Sequence, residues 1–421
     1  MEHLTINHST ITILPTEQFK TISIFIVFIG TFDRKSATSR LLLNRLLSSS
    51  TEQYNTKKKF NDKLLGLYDA YFNIASFAMY QTMFTIFELE IIDPNLIGDP
   101  LILEEGVAFL KQVIMHPLLD HQAFPMKEFM EEKRIIRDRI LNIYNNKVVY
   151  STIRLLELIA KDDVMTISPS GNLEVLETMT PEGLYQDYQT LLQEDARVVV
   201  VGHVEANAIH SLMADLKLSF LDQPHRYYGR PSRAMTDPAH VVEEQAIQQS
   251  RLLMGYDTDV FYHSLDLYAM IVFNTMLGGM ATSSLFTIIR EQYSLAYQID
   301  SSLSFEFGLL VINGGIDASQ EETVIGHVKD IIKAYQQGSI DPVLLKMAQD
   351  NISSNLKESL DRPSELFQTL LRHELLHQPL IPEFIDIIQA VTLDDIKRVS
   401  QQLSLHTIYF LKGMGPDYAK K

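Results

Sequence analysis

At 421 residues with 46% hydrophobic content and only 15 Pro and 18 Gly, the chain is long enough for two domains with separate cores and has no room for long disordered tails. A formal charge of −17 argues against nucleic acid as a partner, since neutralising phosphates needs a basic face. With no cysteine, disulfides, thiolate metal sites and cysteine nucleophiles are excluded as well.

The opening MEHLTINHST lacks the basic and apolar regions of a signal peptide, so the expected location is cytoplasmic. The first strong element is the extended run FKTISIFIVFIG, ending at Gly30. Its apolar stretch Ile22 to Ile29 is too short to span a bilayer and predicts a buried strand, with no membrane partner. The helix SRLLLNRLLSSS follows, then a second helix, further extended segments and the long charged helix KEFMEEKRIIRDRILNIYNN. Glu131 and Glu132 on that helix read as a solvated face. The half closes with TPEGLYQDYQTLL, started by Thr180 with an acid two residues on, and with the strand RVVVVGH.

Residues 224–240, PHRYYGRPSRAMTDPAH, carry three prolines, one glycine and no periodicity, which predicts an exposed linker between domains at 1–223 and 241–421. The grammar of the first half then repeats. AIQQSRLLMG ends at Gly255 and leads into YAMIVFNTMLGG, whose Asn274 sits where Asn44 sits in the first helix, each followed three residues later by a leucine. PVLLKMAQDNISSNLKESL supplies the long helix, TLDDIKRVSQQL the capped helix at Thr392, and TIYFLKG the last strand. Matching positions lie about 211 to 230 residues apart, which predicts an internal duplication of one α+β unit.

Two constellations carry chemistry. Within Asn274 to Tyr297, NTMLGGMATSSLFTIIREQYSLAY, Arg290 can fork onto a carbonyl or carboxylate and Tyr297 can donate one phenolic hydrogen bond. By itself that spacing also describes a surface charge and a core aromatic. Gly278-Gly279 relieves a helix end and offers no phosphate loop. The second constellation, His373-Glu374-Leu375-Leu376-His377, fits H-E-x-x-H, with two histidines on one helix face to bind zinc and a glutamate as base. Pro379 and Pro382 end that helix at once, no third ligand follows, and the matching first-half helix IRLLELIAKDD holds Glu157 without a histidine pair. His373 and His377 therefore read as surface or capping residues, with Leu371, Leu375 and Leu376 inward.

The layout resembles the pitrilysin/insulinase-type (M16) metallopeptidases, in particular the half-size bacterial and mitochondrial-processing-peptidase-like group. The resemblance covers essentially the whole chain and is strongest from Gly255 to Tyr297. It implies an α+β fold of two duplicated α/β-sandwich domains of the LuxS/metallopeptidase-like type, with mostly antiparallel sheets and helices packed on one face. In that family an H-x-x-E-H motif on the first long helix binds zinc, and a glutamate on a later helix completes the site. Here the motif's place reads Leu41-Leu42-Leu43-Asn44-Arg45: both histidines are absent and the glutamate is asparagine. Even with Glu132 standing for the later ligand, one carboxylate does not hold zinc. The resemblance thus implies a non-catalytic subunit that binds no cofactor and pairs with a partner carrying H-x-x-E-H and Zn²⁺, as a heterodimer, or that forms a homodimer. Arg290 and Tyr297 would then grip the carbonyl of a peptide substrate in trans. A purely structural scaffold protein and an independent peptidase built on His373, Glu374 and His377 are the alternatives.

Overall fold

The computed structural model describes residues 2–6, 9–160, 164–216, 218–219, 225–231 and 239–414. Among the described residues eleven strands form two sheets: β1 Glu2–Ile6, β2 Ser9–Pro15, β3 Thr21–Thr31, β4 Tyr71–Met79, β5 Thr82–Ile92 and β6 Asp195–Gly202 in the first, and β7 Ala239–Gln245, β8 Ser250–Asp257, β9 Ala296–Ser304, β10 Leu309–Ile316 and β11 Ser404–Gly413 in the second. The first sheet runs β1-β2-β6-β3-β5-β4 and the second β7-β11-β8-β10-β9. From β2 onward the two orders superimpose. In each, the first pair (β2·β6, β7·β11) is parallel and the remaining pairs are antiparallel. The duplication read from sequence is therefore present strand for strand, with β1 as an addition to the first copy.

The helices repeat in step. Arg34–Leu47, Ile102–Met115, Met126–Ile143 and Pro181–Leu191 in the first copy answer to Leu267–Asn274, Glu321–Gln337, Pro342–Ser359 and Leu393–Gln401 in the second. Thr180 and Thr392 cap their helices through Oγ1, which accepts from Gly183 N at 3.1 Å and Asp395 N at 3.2 Å.

Strand β3 is buried on both faces, which explains its unbroken apolar sequence. Ile22, Ile24, Ile26 and Phe28 pack against Leu42, Leu43, Leu46 and Phe109 from the helices. On the other face Phe25 stacks on Phe367, with centroids 4.2 Å apart. Strand β8 is built alike: Leu252, Met254 and Tyr256 face the helical core, and Leu253 faces Leu155 and Ile159 of the helix Lys147–Ile159. Gly255 leaves room for this helix: a Cβ there would lie 2.8 Å from Ile159 Cδ1 and would push the tip of that side chain aside. Beyond the helices massed on one face, each sheet thus carries a further helical segment on the other.

Those segments are exchanged between the copies. One compact unit comprises residues 1–142, 167–227 and 360–368, and the other 143–166, 228–359 and 369–421. Relative to a boundary at 224–240, two pieces change sides. Residues 224 and 232–238 of that stretch lie outside the described residues; in the rest, the Arg226 carbonyl accepts from Thr82 Oγ1 at 2.8 Å. Among the described residues no helix is long and apolar enough to cross a membrane.

Candidate functional site

The helix Arg34–Leu47 begins at Asp33, whose carboxylate accepts from Ser36 N while Ser36 Oγ accepts from Asp33 N. Leu42, Leu43, Leu46 and Leu47 bury its apolar face, and this sets the last turn, with Asn44 and Arg45, against the helices Lys57–Gly66 and Met126–Ile143. Arg45 Nε donates to Glu132 Oε2, and Lys57 Nζ donates to Glu132 Oε1 at 2.9 Å. The hydrogen bond to Glu132 holds the Lys57 ammonium above the usual lysine range.

Glu132 is 2% exposed and is not part of a solvated face; only Glu131 is, reaching Lys57 Nζ at 3.4 Å. The buried stripe of Met126–Ile143 is Phe129, Glu132, Lys133, Ile136 and Ile140, at the i, i+3, i+4, i+7 spacing of a core face. That spacing was the available signal. A carboxylate on such a stripe needs a counter-charge, because burying it alone costs several kcal/mol. Here Arg45 and Lys57 supply it. Lys133 on the same stripe is satisfied by the carbonyls of Glu177 and Met179, both at 3.0 Å.

The donor set does not fit zinc. Leu41 and Arg45 cannot donate to a metal, Asn44 Nδ2 donates to Ser76 Oγ at 2.9 Å, and both Glu132 oxygens are bound by cations. Among the described residues no group of three His, Asp or Glu side chains is placed to hold a metal ion.

Asn44 has a counterpart. Asn274 Oδ1 accepts from Ser301 Oγ at 2.8 Å, so in both copies an asparagine on the first core helix ties to a serine on the last strand of its sheet, β4 or β9. Gly278 permits the close approach in the second copy, since a Cβ there would lie 2.6 Å from Ser301 N.

In the second unit the helix following Leu267–Asn274 widens to π geometry at Thr275–Gly279, and the next one does so at Phe286–Gln292. Leu285 and Ile289 anchor the latter in the core and leave Arg290 exposed, its guanidinium 4.6 Å from the Phe286 ring centroid. Ser294, at φ 53°, turns the chain into β9, and Leu295 N donates to Ile289 O at 2.9 Å. Tyr297 is 78% exposed on β9, the edge strand. Neither Arg290 nor Tyr297 makes an ion pair or hydrogen bond among the described residues. Both donors are uncommitted.

The H-E-x-x-H helix ends too early for its expected geometry. Pro363–Leu376 stops before His377, which has φ 53°, so the two imidazoles do not share a helix face. His373 Nδ1 lies 2.7 Å from Gln378 O, Glu374 is half-buried, and Leu371 and Leu376 pack inward.

Sequence reading gave no sign of one further cluster. Arg40 Nη2 donates to Glu194 Oε1, with the Arg40 side chain buried and that of Glu194 mostly so. They line a cavity of about 540 Å³ with His225 and Asp195, whose Nε2 and Oδ2 lie 3.5 Å apart. Burial pushes the Glu194 carboxyl up to about 7 against the opposing pull of Arg40.

This duplicated α+β sandwich, with Glu132 held between Arg45 and Lys57, is similar to M16-like peptidase proteins, among them ones described as inactive. Residues 178–352 match the family described as Peptidase M16 inactive domain. The chain is similar to the probable inactive metalloprotease YmfF of Bacillus subtilis, 28% identical over 408 residues and 95% of each chain. It is also 24% identical over 311 residues to the uncharacterized zinc protease YmxG of the same organism, covering 69% of this chain and 71% of that one. Among solved structures, a conserved protein from Enterococcus faecalis matches with a TM-score of 0.90 and 25% identity over 97% of both chains. A peptidase M16 inactive domain from Pseudomonas fluorescens shares the fold, with a TM-score of 0.78 and 14% identity over 98% of both.

Proposed function

We propose that this chain is the catalytically incomplete subunit of a peptidase pair, binding an extended peptide and completing the chamber of a partner that carries H-x-x-E-H and zinc. One contrast carries this reading. Glu132, the one carboxylate at the place of the zinc motif, is held by Arg45 Nε and Lys57 Nζ, whereas Arg290 and Tyr297 stand exposed with no hydrogen-bond partner among the described residues. Unpaired donors of this kind suit a peptide carbonyl, and their value rises as negative charge develops on that oxygen during cleavage. The edge strand β9 presents free main-chain groups on which a peptide can add as a further strand, a mode that gives affinity with little sequence selectivity.

The test is reconstitution with a zinc-bearing homologue of similar length. Arg290→Ala and Tyr297→Phe should each lower peptide cleavage by the pair at least tenfold while leaving pair formation intact. An unchanged cleavage rate would turn the reading toward a structural scaffold. Cleavage by the isolated chain, abolished by His373→Ala, would sink it.

A further inference from the structure

The locus that in zinc-bearing relatives would hold the metal is here a small polar pocket of about 240 Å³, lined by Arg45, Ser48, Ser49, Lys57, Asn61 and Glu132. No apolar side chain lines it. At about 30 Å³ per water molecule it has room for a carboxylate on a short stem and not for a whole peptide. Its lining carries two positive charges and one negative, a local excess of one cation in a chain of formal charge −17.

The charges are also unequally exposed. The Glu132 side chain is 3% exposed, with both oxygens turned onto its partners, whereas Arg45 and Lys57 are 44% and 53% exposed. Arg45 spends only Nε on Glu132, and its terminal nitrogens Nη1 and Nη2 hold no hydrogen bond among the described residues. Asn61, one turn after Lys57 on the same face, is exposed and likewise uncommitted. Ser48 and Ser49 donate to the carbonyls of Arg45 and Leu46, at 3.2 and 2.9 Å, which covers acceptors that would repel an anion at this helix end. Glu131 reaches Lys57 from outside the lining and offsets part of its field, so the planar donor edge of Arg45 is the main recognition element.

We propose that this pocket receives a carboxylate group, from either the C-terminus or an acidic side chain of a bound peptide. Protein cations that replace the metal charge would then also select ligands. The pocket chemistry stands on the residues above; its use for a peptide rests on the peptide-binding reading.

The experiment uses the full chain with ¹⁵N-arginine labelling and acetate as the probe. The Arg45 Nε signal, assigned by its loss in Arg45→Lys, should shift saturably with acetate. No saturable shift overturns the proposal, whatever peptides do. The second arm compares extended peptides ending in carboxylate or amide, and with internal Glu or Gln. At least tenfold weaker binding of the amide assigns the C-terminus, and of the Gln peptide the side chain. The double variant Arg45→Gln with Glu132→Gln removes cation and buried counter-charge together and should abolish the preference without unfolding the chain. Equal binding of all four peptides overturns the selective role and leaves the peptide-binding reading standing. An acetate shift with no peptide bound supports the pocket and removes that reading.

Discussion

Arg45 Nε donates to Glu132 Oε2 while Lys57 takes Oε1 at 2.9 Å, so a buried carboxylate on one helix is neutralised by cations from two others. Removing one partner leaves the carboxylate short of a donor inside the protein. Arg45→Ala should therefore destabilise by about 1–3 kcal/mol. Glu132→Gln on top of it should recover part of the loss, giving a coupling energy in a double-mutant cycle read by urea unfolding. Additive losses would mean that the pair is not coupled.

Glu132 puts a buried carboxylate beside Arg45. Leu41→His, Asn44→Glu and Arg45→His together would restore two imidazoles one turn apart with Glu132 as third ligand. The triple variant is expected to bind about one equivalent of zinc by elemental analysis, with no gain from the same changes once Glu132→Ala is added. Failure to bind would show that the locus has lost the geometry as well as the ligands.

Arg290 and Tyr297 contribute no packing that their exposure would not forgive. Arg290→Ala and Tyr297→Phe are expected to change stability by no more than about 0.5 kcal/mol in thermal or urea unfolding. A larger loss would reveal a structural role and weaken any functional reading of a cleavage defect.

The mostly buried Glu194 predicts a pH effect. Its carboxyl titrates at about 7 in the fold against an ordinary 4.5, so between these values the folded chain binds more protons than the unfolded one. The stability linked to this group is thus full below about pH 4.5 and falls as pH rises toward 7. Glu194→Gln should flatten that slope in urea midpoints, and His225→Gln serves as the control for the neighbouring imidazole. An unaltered slope in Glu194→Gln would assign the effect elsewhere.

Phe367 is 1% exposed and stacks on Phe25. Phe367→Ala should cost about 3–5 kcal/mol, as truncating a buried aromatic side chain usually does. Calorimetry should place the loss in the unit containing β3.

The duplication was legible because strands and capped helices are local patterns. The runs around Phe25 and Leu253, and the threonine caps at 180 and 392, announce themselves within a few residues. The environment of Glu132 was half legible. The stripe Phe129, Glu132, Ile136, Ile140 gives its burial, but Arg45 and Lys57 lie 87 and 75 residues away and no local pattern pairs them with it. Arg40 and Glu194, 154 residues apart, had no local signal at all. The H-E-x-x-H match fails for a geometric reason: three matching letters do not make a helix face when the last of them has left the helix.

The exchanged segments bear on how the protein is made. The face of β3 that carries Phe25 has to wait for Phe367, and domains generally fold as their residues leave the ribosome, at about 5–20 residues per second. The first unit therefore completes its packing late, and the part of its sheet around Phe25 lacks its Phe367 cover until most of the second copy has been synthesised. Residues 143–166, by contrast, are already present when β8 and β11 arrive. Although the two copies are alike in topology, synthesis favours completion of the second, and a nascent chain stalled before residue 360 would expose β3 to chaperones and proteases.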